Sequence, residues 1–394
     1  MGLKKIMLLT GLAFPVIAVA FMNLFSGFTV EREVILNPEK FNMPGQLLRA
    51  SDGGYFVVGS FNSAWVTKTD ASGNELWSYW ERQIGKTPAL FLTAAPTAEG
   101  GVLLCGRREG FGPNALGTAG LIVRLDKNGH EVSRIDPYLQ HPDQVDQFTG
   151  VTACSRWGDG FMVSGGAKIT ISSPDGKSLT GDTSTLLRLR SDGTVLWQKT
   201  KDWRDPRWGL FSNPRPLSNG DMMFFGFAAD NVITRADGDG NVLSVGKYSD
   251  SEVGPACRCV TDPRSVDRLR LACVPFGPNA VHKVSIVDFG SDLKIVSKSY
   301  LPLPDGMGAG NVFYLADGTL IVSGNTLGAL QKFVPTVVAV GPDGAVRAKH
   351  EFIGLDEIGA SSMLPTGQPG EIVTIRPVER GGKYVTTMTF LRLN

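Results

Sequence analysis

Short runs of apolar and β-branched residues, each separated from the next by a turn rich in Gly, Asp and Asn, recur from about residue 29 to the end of the chain. A typical example is the run Tyr55–Gly59, which follows the turn Ser51–Gly54. Alternating apolar runs bounded by turn residues are typical of β-strands joined in hairpins. The pattern therefore predicts an all-β protein.

The hairpins form two interleaved series. The first reads as a short apolar run, a Gly/Asp/Asn turn and a β-rich run, and its seven copies lie about 47 to 60 residues apart, around residues 53, 100, 159, 220, 267, 318 and 370. The second falls between them and has six copies, at 66–77, 121–129, 187–197, 233–240, 284–290 and 337–344. One hairpin of each kind makes a four-stranded antiparallel unit, and a repeat of this length is typical of a propeller blade.

The missing seventh copy of the second series predicts how the ring closes. The seventh repeat supplies strands at Glu371–Arg376 and Lys383–Leu393, which leaves its blade one strand short. The segment Thr29–Leu36 precedes the first hairpin, and pairing it beside Thr386–Leu393 hides both exposed edges. The sequence therefore predicts a seven-bladed β-propeller over residues 29–394, whose last blade is closed by an N-terminal strand. An open β-solenoid is the alternative.

The second series also carries a resemblance to known proteins. Its Asp-x-x-Gly-x-x-x-Trp at 70–77, echoed by Asp192, Gly193 and Trp197, resembles the blade motif of quinoprotein-like and WD40-like bacterial propellers. The resemblance covers about residues 29–394 and implies the propeller fold. Quinoprotein dehydrogenases hold a quinone with a calcium ion and a vicinal cysteine pair, and this chain has no vicinal pair, so we expect no cofactor. By fold class, the chain is also similar to the propeller used in outer-membrane protein assembly.

The first 28 residues have the pattern of a targeting segment. Lys4 and Lys5 precede an apolar run from Ile6 to Ala20 that ends in a small-x-small site, which is typical of a secretory signal peptide cleaved after Ala20. The run from Ile6 to Phe28 is also long enough to remain as an inner-membrane anchor. In both cases we expect the rest of the chain to be exported to the periplasm.

The charge balance argues against one class of partner. The 394-residue chain carries 39 Lys and Arg against 38 Asp and Glu, which is a formal net charge of +1. A protein that binds nucleic acid needs a concentrated positive surface to compete for phosphates. We therefore expect no nucleic-acid partner.

The five cysteines are Cys105, Cys154, Cys257, Cys259 and Cys273. The Cys-Arg-Cys run at 257–259 lacks the two-residue gap of a zinc knuckle and has no histidine near it, so we expect no metal there. A disulfide from Cys257 or Cys259 to Cys273 is favoured, because the two runs flank a turn and can pair as neighbouring strands. Cys105 is expected to be a buried thiol on a strand.

Catalytic and metal-binding motifs are missing from the sequence. The four histidines at 130, 141, 282 and 350 lie in different repeats without ligand spacing, and no Gly-x-Ser-x-Gly nucleophile elbow is present. The run Asp237–Asn241 resembles a calcium loop but lacks the later bidentate Glu. Other copies have a plain turn at this place, so we interpret it as a turn.

The lengths of the connections predict where a partner binds. One face of the ring carries tight turns, and the other carries the long segments 107–120, 165–184, 325–336 and 376–383 with the crossings 136–147 and 201–210. Binding residues concentrate on long loops held by a rigid scaffold, and the crossing 201–208 has two Trp and two Arg, which dominate interface hot spots. The predicted contact residues are Trp203, Arg204, Arg207, Trp208, Arg107, Arg108, Lys332, Arg376 and Arg380. Packing of Trp203 and Trp208 between blades is the alternative.

These observations favour an exported, non-enzymatic propeller that binds a protein partner in the bacterial envelope through its long-loop face. Two other functions remain open. One is a degenerate quinoprotein-like or hydrolytic enzyme with its site in the central funnel. The other is a carbohydrate-binding, lectin-like propeller in which Trp side chains stack on sugar rings.

Overall fold

The structure is a computed structural model that describes most of the chain after residue 26. The described residues are 27–36, 44–61, 63–82, 88–111, 117–136, 150–172, 178–200, 210–217, 219–227, 231–248, 257–262, 264, 269–275, 283–304, 307–327, 333–352 and 362–394. They form 28 β-strands, arranged as seven four-stranded antiparallel sheets.

Each sheet is a blade whose strands we call A to D from the centre of the ring outwards. Blade 1 is β2 to β5 (Pro44–Arg49, Tyr55–Phe61, Ser63–Thr69, Glu75–Trp80), and blade 2 is β6 to β9 (Ala89–Pro96, Val102–Phe111, Gly117–Leu125, Glu131–Ile135). Blade 3 is β10 to β13 (Gly150–Trp157, Gly160–Ser172, Ser178–Leu189, Val195–Thr200), and blade 4 is β14 to β17 (Leu210–Pro216, Met222–Phe227, Asn231–Ala236, Val242–Tyr248). Blade 5 is β18 to β21 (Cys257–Thr261, Leu269–Pro275, Lys283–Phe289, Ile295–Pro302), and blade 6 is β22 to β25 (Gly308–Tyr314, Leu320–Leu327, Phe333–Val340, Val346–Glu351). Blade 7 is β26, β27 and β28 (Ser362–Pro365, Glu371–Arg380, Lys383–Leu393) with β1 (Phe28–Leu36) as its strand D.

Each blade buries both of its faces because it lies between two neighbours. On β3, Tyr55 and Val57 pack towards blade 7, whereas Phe56 and Val58 pack towards blade 2. Seven clusters of buried apolar side chains follow this rule, and each combines residues of two consecutive blades, including the pair formed by blades 7 and 1. A strand buried on both faces reads as a continuous apolar run. The seven interfaces close the ring and confirm the predicted seven-bladed propeller.

Strand β1 closes the last blade, as the sequence predicted. It pairs antiparallel with β28, from Phe28 opposite Leu393 to Leu36 opposite Thr386. Phe28 and Leu36 are almost fully buried at the two ends of the strand. Because Phe28 belongs to the propeller, the apolar run proposed as a signal or anchor overlaps the first blade strand by one residue.

The targeting segment itself lies outside the described residues, which begin at Gly27. The signal peptide, the membrane anchor and export therefore stay predictions. Between Gly27 and Asn394, the parts of the chain that the structure describes contain no helix long and apolar enough to cross a membrane.

Tight turns join strand A to B and strand C to D on one face of the ring. In the turn 70–74, the N–H of Asp70 donates to the carbonyl of Asn74 (2.9 Å), and the N–H of Gly73 donates to the carbonyl of Asp70 (3.1 Å). Gly73 has a φ of 91°, as expected for a type I turn followed by a left-handed residue. The same pair of bonds recurs at 50–54, 97–101, 126–130, 190–194, 217–221, 237–241, 290–294, 315–319 and 341–345.

One of these turns has leucine in the left-handed position. Leu293 has a φ of 59°, where the other nine turns have glycine. Its side chain is 4% exposed and packs into the cluster between blades 4 and 5. The left-handed conformation costs about 1–2 kcal/mol, whereas burial of a leucine side chain contributes about 1.5–3 kcal/mol. Burial therefore offsets the backbone strain.

The outer strands dock on the C–D turns of the following blade. The Trp77 indole N–H donates to the carbonyl of Lys127 (2.8 Å), and a Cβ on Gly129 would lie 2.8 Å from the Trp77 ring. Trp197 lies in the same way against Gly240, where an added Cβ would come within 2.5 Å. Glycine is therefore required in these two turns for close approach as well as for its backbone conformation.

The two ends of the described chain complete the seventh C–D turn. Gly27 has a φ of 65°, and its carbonyl accepts a hydrogen bond from the N–H of Asn394 (2.9 Å). A Cβ on Gly27 would lie 2.6 Å from the Cβ of Ala348 on the outer strand of blade 6. Gly27 thus approaches the outer strand of the preceding blade as closely as Gly129 and Gly240 do.

Candidate functional site

The two faces of the ring differ in their connections. The A–B and C–D turns lie on what we call the turn face, and the B–C connections and the D–A crossings lie on what we call the loop face. On the turn face, cations of strand C pair with acids of the A–B turn in blades 1 to 4. The N–O distances are 2.6 Å for Lys68–Asp52, 3.8 Å for Arg124–Glu99, 3.0 Å for Arg188–Asp159 and 2.7 Å for Arg235–Asp221. Each of these charged side chains is therefore paired with an opposite charge in its own blade.

Strand pairing continues into segments that the sequence predicted as long loops. In the segment 165–184, β11 and β12 stay paired as far as Ser172 opposite Ser178. In the segment 376–383, β27 and β28 stay paired as far as Arg380 opposite Lys383, which leaves a turn of two glycines with positive φ. The prediction of loops here is wrong, because a backbone ladder between two strands does not need an apolar pattern.

The β11–β12 hairpin of blade 3 projects from the loop face. Its register contains 12 residue pairs, from Phe161 opposite Leu189 to Ser172 opposite Ser178, whereas the corresponding β15–β16 hairpin of blade 4 contains six. At about 3.3 Å per residue, the six additional pairs extend the hairpin by about 20 Å. Among the residues that the structure describes, the loop face therefore carries a raised element that the turn face lacks.

Of the predicted contact residues on this face, Arg380 is exposed and Arg107 is partly exposed. The Arg107 side chain is 40% exposed and pairs with Glu109 at 2.6 Å. Arg380 is exposed at the end of β27. The predicted contact residues of the crossing 201–208 and of the segment 328–332 lie outside the described residues, and their role stays a prediction: Trp203, Arg204, Arg207, Trp208 and Lys332.

Arg108 and Arg376 are interior residues, which removes them from a solvent-facing contact surface. They are 0% and 3% exposed. Because consecutive side chains of a strand point to opposite faces, Arg108 shares the face of Leu104, which packs against blade 1, whereas Arg107 points the other way. The sequence showed the Arg-Arg pair but not which of the two residues is buried.

Arg108 lies at the centre of an ion network between blades 1 and 2. Its Nη2 donates to Glu81 Oε1 (2.6 Å), and its Nε donates to Asp136 Oδ2 (2.9 Å). The three side chains are fully buried. Arg134 adds a second cation, since its Nη1 donates to Glu81 Oε1 (3.1 Å) and its Nη2 donates to Glu81 Oε2 (3.0 Å).

Tyr79 and Glu131 complete the outer side of this network. The Tyr79 hydroxyl lies 2.9 Å from Glu81 Oε2 and 2.9 Å from Glu131 Oε2. Burial and the nearby Glu81 carboxylate raise the pKa of Tyr79 well above its usual range, so the phenol stays protonated. Hydrogen bonds from Arg134 hold the pKa of Glu131 below its ordinary value.

The network therefore stabilises the inter-blade contact beside the loop face. Its charged groups have charge-assisted partners, which makes them rigid. None of Glu81, Arg134 and Asp136 is among the contact residues predicted from the sequence. The available signal was an acid directly after strand D in each of two consecutive repeats, Glu81 after β5 and Asp136 after β9.

Arg376 is the second buried arginine, and it lies between blades 6 and 7 as Arg108 lies between blades 1 and 2. Its Nη2 donates to Glu33 on β1, its Nε donates to Thr389 Oγ1 (3.3 Å), and its Cζ lies 4.6 Å from the ring centre of Phe352. Burial lowers the pKa of Arg376, and burial together with the positive charge of Arg376 lowers the pKa of His350. His350 is therefore a neutral neighbour of a buried guanidinium near pH 7.

The cysteines separate into two groups. Cys273 on β19 is disulfide-bonded, and the register places Cys259 of β18 opposite it. The partner of Cys273 stays a prediction between Cys257 and Cys259, and the register favours Cys259. Cys105 is a buried free thiol on β7, as predicted, and it packs with the free Cys154 between blades 2 and 3.

The run 237–241 folds as one of the recurring turns. An Asp237 carboxylate oxygen accepts hydrogen bonds from the N–H groups of Asp239 (3.0 Å) and Asn241 (2.8 Å), and the Asn241 amide donates to the other oxygen (2.9 Å). The Asp237 carboxylate therefore forms its hydrogen bonds with groups of its own turn. Among the residues that the structure describes, no group of three or more His, Cys, Asp and Glu side chains is placed to hold a metal ion.

Comparisons with known proteins show the fold. No protein-family model matches the sequence, and no curated protein sequence matches it. The structure of YCF48 bound to a D1 peptide superimposes with a TM-score of 0.53 at 10% identity and covers 92% of this chain and 95% of that one. A putative 6-phosphogluconolactonase from Bacteroides uniformis gives a TM-score of 0.46 at 12% identity, covering 88% and 95%. A protein of unknown function from Bacteroides caccae gives 0.40 at 14% identity, covering 79% and 94%.

Proposed function

We propose that this propeller is an exported, non-enzymatic scaffold of the bacterial envelope that binds a protein partner on its loop face. The observation that carries the proposal is the difference between the two faces. The turn face has short turns with locally paired charges, whereas the loop face carries the projecting β11–β12 hairpin, the partly exposed Arg107 and the exposed Arg380. Variable connections on a rigid ring are where propellers and other scaffolds place binding residues.

The structural likeness to YCF48 supports the same proposal. That propeller was solved with a bound D1 peptide, and its TM-score against this chain is 0.53. A ring of this fold is therefore able to bind a polypeptide. The partner of this chain is expected to be a protein or an extended segment of one.

The test is affinity capture from envelope extract with the purified propeller and a variant with a shortened hairpin. The variant joins Ala167 to Thr183, which are opposite each other in the β11–β12 register, through an Asn-Gly turn. The double variant Trp203→Ala, Arg207→Ala examines the predicted contact crossing separately. We expect both variants to lose the captured protein while their melting temperatures stay close to that of the parent.

The matched control is Leu196→Ser, an exposed position at the turn-face end of the outer strand of the same blade. This variant should retain capture. Equal capture by parent, hairpin variant and double variant would show that the interface lies elsewhere. Specific binding of a quinone or a glycan, with no protein captured, would favour the enzymatic or the lectin alternative instead.

A further inference from the structure

Two free thiols meet between blades 2 and 3. Cys105 on β7 and Cys154 on β10 are buried free cysteines, and both belong to the apolar cluster that joins these two blades. Burial, followed by a hydrogen bond with the Cys154 thiol, raises the pKa of Cys105. The two free cysteines among the described residues therefore form a pair in direct contact.

Two contacts show how β7 and β10 run beside each other. The Cys154 sulfur lies 4.0 Å from the carbonyl oxygen of Leu103. Closer to the loop face, a Cβ on Gly150 would lie 3.5 Å from the Cβ of Arg107. Cys105 is midway between Leu103 and Arg107 on β7, so its level on β10 falls between Gly150 and Cys154.

The separation of the two strands suits a disulfide. Cα atoms of β7 and β10 come within 8 Å of each other, and the Cβ positions at 107 and 150 are 3.5 Å apart. A disulfide joins Cα atoms about 4.4–6.8 Å apart and Cβ atoms about 3.5–4.5 Å apart. The strands are this close because blades converge towards the ring axis, where β10 is the innermost strand of blade 3. The spacing therefore allows a bridge between Cys105 and Cys154.

We propose that Cys105 and Cys154 form a redox site, at which a low-molecular-weight disulfide oxidises the two thiols to a bridge between blades 2 and 3. The site is distinct from the contact surface on the loop face and does not depend on a protein partner. Glutathione disulfide is the probe for this class of oxidant.

The oxidation consists of two thiol–disulfide exchanges. The Cys154 thiolate attacks one sulfur of glutathione disulfide, which gives a mixed disulfide and releases one glutathione thiolate. The Cys105 thiolate then attacks the Cys154 sulfur and releases the second glutathione thiolate. The two cysteines are oxidised to one disulfide, glutathione disulfide is reduced to two glutathione molecules, and these take up the two thiol protons.

Burial sets the order of the two attacks. Cys154 is 7% exposed, whereas Cys105 is 0% exposed and has the raised pKa described above. Because the attacking species is the thiolate, Cys154 reacts first when the interface opens locally. The close-packed cluster has no space for a glutathionyl group. Its release by Cys105 therefore lets the two blades close again.

This bridge differs in kind from the one at Cys273. Cys273 lies on β19, and both of its candidate partners lie on β18, which already pairs with β19 in the same sheet. Blades 2 and 3 are separate sheets, and the strands described for them share no backbone ladder. A bridge here fixes one blade to the next and constrains the unfolded chain. It holds in place the blade that carries the β11–β12 hairpin.

The experiment incubates the full chain with glutathione disulfide for several hours below its melting temperature. The remaining thiols are then alkylated in denaturant, and the peptides are mapped by mass. We expect a linked peptide that contains Cys105 and Cys154 and has lost two hydrogen atoms. The melting temperature should rise by a few degrees relative to the untreated protein, which keeps its bridge at Cys273.

Two variants separate the steps of the reaction. In Cys105→Ala the mixed disulfide on Cys154 has no thiol to resolve it, so glutathione should accumulate there. In Cys154→Ala the fully buried Cys105 should stay unmodified. Neither variant should gain melting temperature on oxidation. Each is compared with its own untreated form, so lost packing does not affect the test, and the bridge at Cys273 is the internal control.

Three outcomes would overturn the proposal. The first is that both thiols are still free after the oxidation and are alkylated only in denaturant. The second is a linked peptide that joins Cys105 or Cys154 to a different cysteine. The third is a Cys105–Cys154 bridge that lowers the melting temperature, which would show that the blades must separate to form it. None of these outcomes bears on the binding of a partner at the loop face.

Discussion

Arg108 of blade 2 and Glu81 of blade 1 meet at 2.6 Å with both side chains fully buried. Arg108 lies on β7 and Glu81 directly follows β5, and Asp136 binds the second edge of the same guanidinium at 2.9 Å. The pair therefore connects the crossing that leaves blade 1 to the middle of blade 2. Because the pair lies beneath the loop face, it stabilises the blades that carry the connections of that face.

Replacement of Arg108 by methionine should destabilise the propeller by about 3–5 kcal/mol. The substitution keeps much of the volume but leaves buried carboxylates without their cation, and an uncompensated buried charge is strongly unfavourable. Urea unfolding at pH 7 measures the effect. The control is Arg107→Met at the adjacent, partly exposed position, where a change within about 0.5 kcal/mol is expected. Equal stabilities of the two variants would contradict the structural role of the network.

Trp77→Ala should destabilise the protein by about 2 kcal/mol. The half-buried indole loses its contact with Gly129 and its hydrogen bond to the Lys127 carbonyl, and large-to-small changes at partly buried sites cost this order of energy. Thermal and urea unfolding provide the measurement. Leu76→Ala, one residue away and 56% exposed, is the control and should be nearly neutral. If both variants behave alike, docking of the outer strand on the next blade contributes little.

The ring and its closure could be predicted because the decisive signals are local in the sequence. A turn such as 70–74 requires a left-handed residue within five positions, and Gly73 supplies it. Repetition of that signal gives the blade count, and the spare strand Thr29–Leu36 gives the closure. Leu293 shows the limit of the signal, since there packing between blades 4 and 5 overrides the preference for glycine.

The burial of Arg108 could not be predicted, because it depends on partners that are distant in sequence. Glu81 and Asp136 are 27 and 28 residues away, and nothing in the run Arg107–Glu109 tells which arginine faces blade 1. The extent of the β11–β12 hairpin was missed for another reason. Its outer part pairs through the backbone, whereas the prediction relied on apolar side chains.

Acid should destabilise the propeller through its turn aspartates. Hydrogen bonds from turn N–H groups lower the pKa of Asp126 and Asp192, and hydrogen bonds from Asn241 lower that of Asp237. A carboxyl whose pKa is lower in the folded state stabilises fully above its unfolded pKa, near 4, and loses that contribution as the pH falls through the folded value. The free energy of unfolding should therefore fall steeply below about pH 4.

The variant Asp237→Asn examines this explanation at one turn. The amide oxygen still accepts from the backbone N–H groups, but it does not titrate. Urea unfolding at pH 7, 5, 3.5 and 2.5 should show a smaller loss of stability between pH 5 and 2.5 in the variant than in the parent. An identical loss would mean that Asp237 is not among the groups responsible.

The free and the disulfide-bonded cysteines should behave as two classes in alkylation experiments without reductant. Cys105 and Cys154 are buried free thiols, and burial raises the pKa of Cys105, so neither should react in the folded protein and both should react after unfolding. Cys273 should stay unmodified in both states and appear in a disulfide-linked peptide with Cys257 or Cys259. Peptide mass mapping decides this. Alkylated Cys273 in the unfolded, non-reduced protein would contradict the bridge.

Removal of residues 28–36 should unfold the propeller or make it aggregate. The deletion takes away two almost fully buried side chains, Phe28 and Leu36, each worth about 1.5–3 kcal/mol, and it exposes the edge of β28. The summed loss is comparable with the whole stability of many domains. Size-exclusion chromatography and thermal unfolding provide the readouts. A truncated chain that stays monomeric and melts with the parent would contradict closure by β1.

A circular permutant separates the pairing of β1 from its place in the chain. The N–H of Asn394 bonds to the carbonyl of Gly27 at 2.9 Å, so a link of two or three residues between them should complete a seventh C–D turn. The permutant begins at Pro44 and ends at Leu36, which keeps every strand. Because the ladder between β1 and β28 is unchanged, its melting temperature should lie within a few degrees of the parent, in contrast to the deletion. A permutant as unstable as the deletion variant would show that β1 acts through its covalent connection to blade 1 and not through its pairing with β28.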